Sequence, residues 1–301
     1  MATQTAAHAP KMRKSDLRVA LLFLAPALLG LVVFYLWPAV RGIYLSFTKY
    51  NLLRPAKFIG FDNYVDMAKD PVFWNSLKVT LEYVFLNITF QTALALLLAV
   101  LMQRFTRSIV IRGIVLLPYV IANVIVALVW YWMMDYNLGI VNEILDWVGL
   151  SRVPFFGSDT WAMPTIAFVN VWRHLGYTAL LIFAGLQTIP RDVYEAAEVD
   201  GAGEWRTFRS ITLPLLRPVL AFVLVITVTG SFQIFDTIAV TTGGGPVNAT
   251  RAINFYIYEK AFQQFDFGYA SAMSVVLLII LAIVALAQMK FLRADSSDME
   301  R

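Results

Sequence analysis

The chain has 301 residues, 59% of them hydrophobic and only 15% charged, with a formal net charge of +4 and a mean hydropathy of +0.67. Soluble domains carry about 25% charged residues, so this composition predicts an all-α integral membrane protein, not a soluble enzyme or a nucleic-acid binder. Cysteine is absent, which excludes disulfides, thiolate catalysis and cysteine-ligated metals, and His8 and His174, the two histidines, are too far apart in sequence to suggest a metal site.

Residues 1–16 read as a polar tail with Lys11, Arg13 and Lys14. A first span is expected at 17–40, since about 20 apolar residues cross a bilayer. The run is longer than a cleavable signal core and no small-x-small site follows it, so an uncleaved signal anchor is expected. Residues 41–78 are amphipathic and rich in Tyr, Phe and Trp, which suit the headgroup region, with an interfacial helix expected near Asn63–Lys69. Further spans are expected at 79–102, holding Asn87 and Gln91, and at 109–134, 161–189, 217–240 and 269–291. The transmembrane domain then covers 17–291, with a second polar tail at 292–301. Thr242-Gly243-Gly244-Gly245-Pro246 reads as a turn.

An even number of spans puts both termini on one face. Lys11, Arg13, Lys14, Arg18, Arg104, Arg107, Arg112, Arg191, Arg206, Arg209, Lys290 and Arg293 all fall on that face, which the positive-inside rule makes cytoplasmic. The acidic segment 135–160, with Asp135, Glu143, Asp146 and Asp159, is then outside.

A polar island at 190–216 separates the fourth and fifth spans. Asp192, Glu195, Glu198, Asp200 and Glu204 lie there among Arg191, Arg206 and Arg209. Val193–Asp200 is rich in helix formers, Gly201 permits a tight turn, and Glu204–Ile211 can helicise again. At helical spacing Tyr194, Glu198, Gly201, Trp205 and Phe208 fall near one face, and Ala196 and Ala197 allow close approach by another surface. A solvated amphipathic helix is the simpler alternative.

The pattern Glu195-Ala196-Ala197, Asp200-Gly201-Ala202, Phe208, Ile211, Leu213-Pro214 and Pro218 resembles the EAA loop of ABC importer permeases. Phe58-Ile59-Gly60-Phe61-Asp62-Asn63-Tyr64 followed by Asp70-Pro71-Val72-Phe73-Trp74 resembles the carbohydrate-uptake branch of that family, as does Phe232–Asp236 followed by Thr242-Gly243-Gly244. The resemblance runs from about residue 17 to 291. It implies the type I permease fold with six transmembrane helices and cytoplasmic termini, multi-pass in the bacterial inner membrane. It also implies that Glu195, Ala196, Ala197, Asp200 and Gly201 contact a separate ATPase.

Asn170, Arg173, His174 and Tyr177 share helical neighbour spacing near the middle of the fourth span. A charge there costs about 2.5–3.5 kcal/mol on insertion scales, so Arg173 is expected to face the bundle or a wet cavity. Two readings stand side by side: a sugar path built from Asn170, Trp172, Arg173, Tyr177, Gln233 and Asp236, or interhelical hydrogen bonding. An Arg173–Asp236 pair is a further possibility, as is a solvated Asp236 at its span end.

An ATP site needs a Gly-rich phosphate loop ending in Lys, and no Lys here directly follows a Gly. No catalytic residue, resident cofactor or metal is therefore expected in this chain. The resemblance implies a non-identical second permease subunit, two ATP-binding subunits carrying ATP and Mg, and an extracytoplasmic substrate-binding protein. Surrounding lipid is the remaining partner. Function is then ATP-driven import of a sugar, a di- or oligosaccharide, by alternating access. The alternatives are an ATP-independent carrier or channel, or an importer for glycerol phosphate or another polar solute.

Overall fold

A computed structural model describes residues 14–105 and 108–297. Lys11, Arg13 and Arg107 lie outside the described residues, as do the side chains of Lys14, Arg18 and Arg293. The first span comprises α1 (Lys14–Leu31), a π-helical turn (Val32–Leu36) and α2 (Trp37–Ser46). A minimal antiparallel pair, β1 (Thr48–Lys49) with β2 (Lys57–Phe58), leads to the amphipathic helix α3 (Asp62–Lys69). The second span is α4 (Pro71–Phe105).

Asn63 and Asp70 explain the sequence pattern between these spans. Asn63 Nδ2 donates to the carbonyls of Ser46 and Thr48, at 2.8 and 2.9 Å, which satisfies backbone groups left open at the end of α2. Asp70 Oδ1 accepts the Val72 N–H and so caps α4, while its Oδ2 accepts the hydroxyls of Tyr256 at 2.6 Å and Tyr269 at 2.8 Å. Burial works to raise the Asp70 carboxyl, but these hydrogen bonds outweigh it and hold the group below its ordinary value.

The third span departs from the expected single helix at 109–134. It is broken into α5 (Ile109–Val120) and α6 (Asn123–Met133), bent by 89°. Pro118 lies in the last turn of α5, where its missing N–H removes a ladder bond. Beyond α6 come α7 (Ile140–Trp147) and then α8 (Ala162–Leu186), the fourth span. The polar island folds as α9 (Arg191–Val199), α10 (Glu204–Thr207), a π-helical turn (Phe208–Thr212) and α11 (Leu213–Leu215).

The fifth span is interrupted too: α12 (Arg217–Ser231) stops, residues 232–235 are non-helical, and α13 (Asp236–Val240) resumes. A turn-rich stretch leads to α14 (Ile253–Tyr258) with a π-helical extension (Glu259–Gln263), and α15 (Phe267–Ser297) is the last span. Among the described residues five helical stretches are long and apolar enough to cross a membrane, and the bent α5–α6 pair makes a sixth.

Helices α4 and α8 share the most extensive contact and form the centre of the bundle. Ala95, Ala99 and Ala179 are fully buried, and a Cβ on Gly176 would overlap the Val115 carbonyl oxygen. Small residues thus let α8 lie close to its neighbours, where dispersion drives association in lipid. The first span is peripheral: none of its most apolar window is buried, and α2 alone packs substantially on α15.

The buried side chains form two apolar clusters. One holds Tyr83, Val84, Met163, Ile166, Phe232, Ile253, Phe255 and Met273. The other holds Ala95, Met102, Ile182, Leu186, Leu216 and Val223. Along α4, α8 and α12 the first cluster occupies one end and the second the other. Between them each helix carries buried polar residues, Asn87 and Gln91 on α4, Asn170 and Thr178 on α8, and Thr227 and Ser231 on α12, which together form a polar layer.

Candidate functional site: a mid-depth cavity and a capped polar loop

That polar layer encloses a cavity of about 420 Å³. This falls within the roughly 300–1,000 Å³ of small-molecule sites. Helix α4 contributes Asn87 and Gln91, α8 contributes Asn170, Arg173, His174, Tyr177 and Thr178, and α12 contributes Thr227 and Ser231. The breaks in the third and fifth spans supply Tyr119, Asn123, Gln233 and Asp236.

A hydrogen-bonded network ties the walls together. Ser231 Oγ donates to the Thr227 carbonyl at 2.6 Å and accepts from Asn87 Nδ2 at 2.9 Å. Asn87 Nδ2 also donates to Gln91 Oε1, and Gln91 Nε2 donates to Thr178 Oγ1 at 2.8 Å. Three helices are thereby linked through amides and hydroxyls, as polar groups in hydrocarbon require.

Arg173 holds the broken third span. Its Nε and Nη2 donate to the Ile121 carbonyl at 3.2 and 3.1 Å, and Nη2 also donates to the Tyr119 carbonyl at 3.1 Å. Carbonyls at a helix C-terminus lack intrahelical partners and carry the negative end of the dipole, so a guanidinium there is doubly favourable. Nη1 meets His174 Nε2 at 3.0 Å. On the other side of the break, Asn123 at the start of α6 donates to Asp236 Oδ2 at 3.1 Å. The break is flanked by a cation at the end of α5 and an anion near the start of α6. Discontinuous helices at mid-depth are tolerated where they line a cavity.

Of the residues expected on a sugar path, Asn170, Arg173, Tyr177, Gln233 and Asp236 line this cavity. Asn170 Nδ2 is engaged with the Ile166 carbonyl and Thr237 Oγ1, which fixes α13 to α8. The Tyr177 ring stacks on Tyr119 with centroids 4.4 Å apart and planes 10° apart. The Gln233 side chain is exposed to the cavity and has no hydrogen-bond partner among the described residues, while its backbone N–H donates to the Gly230 carbonyl. Trp172 is not in the lining: it packs edge-on against Trp130, 5.4 Å away, one helical step round from Arg173. Arg173 and Asp236 are engaged with the two sides of the break, Arg173 on carbonyls and Asp236 on Asn123. Sequence reasoning gave no role to Tyr119 and Asn123. Their signal was Pro118, a helix-weakening residue within a span.

The polar loop is as firmly built. Helix α9 ends in a Schellman motif: Ala202 N–H donates to the Ala197 carbonyl at 2.9 Å and Gly201 N–H to the Glu198 carbonyl at 3.0 Å, with Gly201 at φ +70°. Asp200-Gly201-Ala202 is therefore a stop signal that fixes the helix length. Ala197 and Tyr194 turn inward, Ala197 being buried and Tyr194 packing on the second apolar cluster. Asp192, Glu195, Ala196 and Val199 form the exposed stripe at i, i+3, i+4 and i+7. Asp200 and Gly201 are exposed beside it, as is Trp205, whose ring stacks on Phe208.

Glu204 forms a two-pronged pair with Arg104 at the end of α4, at 2.5 and 2.8 Å. Hydrogen bonds and the charge of Arg104 hold the Glu204 carboxyl below its ordinary value. Three elements converge on the loop: α8 runs into it, α12 leaves it, and α4 is clamped to it. All three line the cavity.

The sequence profile of the family "binding-protein-dependent transport system inner membrane component" matches residues 91–295. The sulfoquinovosyl glycerol transport system permease protein SmoG of Agrobacterium fabrum is 36% identical over 281 residues, covering 92% of this chain and 91% of its own. The trehalose/maltose transport system permease protein MalF of Thermococcus litoralis is 33% identical over 282 residues, covering 93% of this chain and 95% of its own. A solved bacterial ABC transporter that imports the acidic polysaccharide alginate superposes with a TM-score of 0.82 at 27% identity, over 93% of this chain and 96% of that one. With the interrupted spans, the mid-depth cavity and the capped loop, these likenesses make this chain a multi-pass member of the binding-protein-dependent inner-membrane permease family of ABC importers.

Proposed function

We propose that the chain is the permease subunit of an ATP-driven importer for a neutral sugar of di- or oligosaccharide size. One observation carries the reading: α4, α8 and α12 line the cavity and all meet the loop. A rigid displacement of the loop is therefore a displacement of the cavity walls. The exposed stripe Asp192, Glu195, Ala196 and Val199, with Asp200 and Gly201 at its end, is the face offered to an ATPase.

ATP and Mg would be held by two separate ATP-binding subunits. A second, non-identical permease subunit would complete the pathway, and an extracytoplasmic binding protein would deliver solute. Nucleotide-driven movement of the ATPases against α9 would switch the cavity from inward-facing to outward-facing.

The cavity chemistry supports a neutral polyol. Amides and hydroxyls match sugar hydroxyls, and the Tyr119–Tyr177 stack offers an aromatic face to a sugar ring. A phosphate would need free cationic donors, whereas the Arg173 donors are held by carbonyls and His174, with Asp236 also in the lining. The test is reconstitution in proteoliposomes with the cognate ATPases and binding protein, after the binding protein has been screened on a glycan array. Uptake of the retained sugar should require ATP. Uptake by this chain without ATPase subunits would overturn the proposal in favour of a carrier or channel.

A further inference from the structure

A second cavity, of about 340 Å³, lies further out along the same elements. Helix α6 begins at Asn123 in the central cavity and carries Tyr131 in the outer one, eight residues on (123 to 131), which is about 12 Å at 1.5 Å per residue. Helix α13 likewise begins at Asp236 in the central cavity, and Thr241 and Thr242 just beyond its end line the outer one. The outer lining includes the aromatics Tyr131, Tyr136, Phe155 and Phe156, with Tyr131 and Phe156 ring centroids 5.2 Å apart.

These walls are preformed. The fully buried Asn142 of α7 donates to the carbonyls of Asp135 and Val153 and accepts the Val153 N–H. Arg152 joins Glu143, Asp146 and the carbonyls of Tyr136 and Asn137. Asp135 Oδ1 accepts the N–H groups of Leu138 and Asn137, at 2.8 and 2.9 Å, and Asp135 is among the residues that line the cavity.

We infer that the outer cavity is a second carbohydrate subsite, which holds one neutral ring of an oligosaccharide while a preceding ring occupies the central cavity. Aromatic faces stack on the ring, and the Asp135 carboxylate accepts its hydroxyls while repelling a uronate. Asn123 and Tyr131, one from each lining, are about 12 Å apart along the α6 axis, a separation that suits a short run of linked pyranose rings. This inference rests on the importer reading above.

The experiment uses the reconstituted importer with its binding protein. Malto-, cello- and alginate-oligosaccharides, from disaccharide to hexasaccharide, are first screened on the binding protein. Uptake of the retained series is then compared for Tyr131→Ala, Asp135→Asn and the more exposed Tyr136→Ala. The expected result is a KM raised about threefold to tenfold for the longer neutral members, with kcat and the disaccharide KM unchanged. An equal KM rise at every length marks a structural role and overturns the subsite. Unchanged KM values throughout overturn it too, as does a binding protein that retains only monosaccharides or only uronate chains. In those cases ATP-dependent uptake still stands, whereas loss of that uptake in the unmodified importer removes the importer reading itself.

Discussion

Arg173 donates twice to the carbonyl oxygen of Ile121, from Nε at 3.2 Å and Nη2 at 3.1 Å, across 52 residues of chain. The contact makes a stable element out of a helix end exposed at mid-depth. Arg173→Ala should therefore destabilise the detergent-solubilised complex by about 1.5–3 kcal/mol, the range for hydrogen bonds to a charged group. Amide exchange should quicken at 121–125 and stay unchanged at 197–202. Arg173→Lys should recover only part of the loss, because an ammonium cannot present the guanidinium fork. Unchanged exchange at the break in Arg173→Ala would count against the role.

Gly201 holds φ +70° with nothing within 4 Å of an added Cβ, so backbone conformation and not crowding selects glycine. Asn tolerates this region better than other residues, and Pro cannot reach it. Gly201→Asn should retain most ATP-dependent uptake. Gly201→Pro should abolish it at normal membrane abundance, as should Glu195→Lys on the exposed stripe. Normal uptake by Gly201→Pro would refute a mechanical role for the capped helix.

The Arg104–Glu204 clamp predicts a pH dependence of defined sign. The folded-state pKa of Glu204 is depressed, first by hydrogen bonding to Arg104 and then by its charge. The contribution is therefore present above the unfolded-state value, about 4.3, and is lost as pH falls through the folded value. The Tm difference between the native chain and Glu204→Gln should be measurable at pH 7, shrink with added salt because both side chains are exposed, and vanish in acid. A difference that grows below pH 4 would contradict this assignment.

Gln233 and Trp172 separate the cavity from its surroundings. Gln233 is exposed in the lining and its side chain has no hydrogen-bond partner among the described residues, so Gln233→Ala should raise the uptake KM severalfold and leave Tm unchanged. Trp172 packs on Trp130 outside the lining, so Trp172→Phe should leave KM unaltered. A shift with the opposite pattern would move the solute to the other face of α8.

The all-helical, multi-span class was legible because bilayer thickness acts directly on apolar run length. The capped loop was legible because Asp200-Gly201-Ala202 acts locally, within one turn of α9. The break at Val120–Asn123 was not. Pro118 weakens the helix, but the groups that stabilise the break, Arg173 and Asp236, come from other spans. Asn87 and Gln91 showed as polar residues within a span, yet their partners Ser231 and Thr178 are 144 and 87 residues away, so no local pattern reveals the network. Trp172 was grouped with Arg173 by proximity in sequence, whereas adjacent residues on a helix point about 100° apart.

The two apolar clusters on either side of the polar layer bear on the electrical state of the membrane. Each is a low-dielectric belt, one around Tyr83, Ile166 and Met273, the other around Ala95, Ile182 and Leu186. A bare ion that enters the hydrated middle still faces a Born barrier at either belt. The polar side chains that could solvate such an ion, among them Asn87, Gln91, Thr227 and Ser231, lie between the two belts. A neutral polar guest meets a far smaller barrier at the same belts, so they favour uncharged solutes over bare ions.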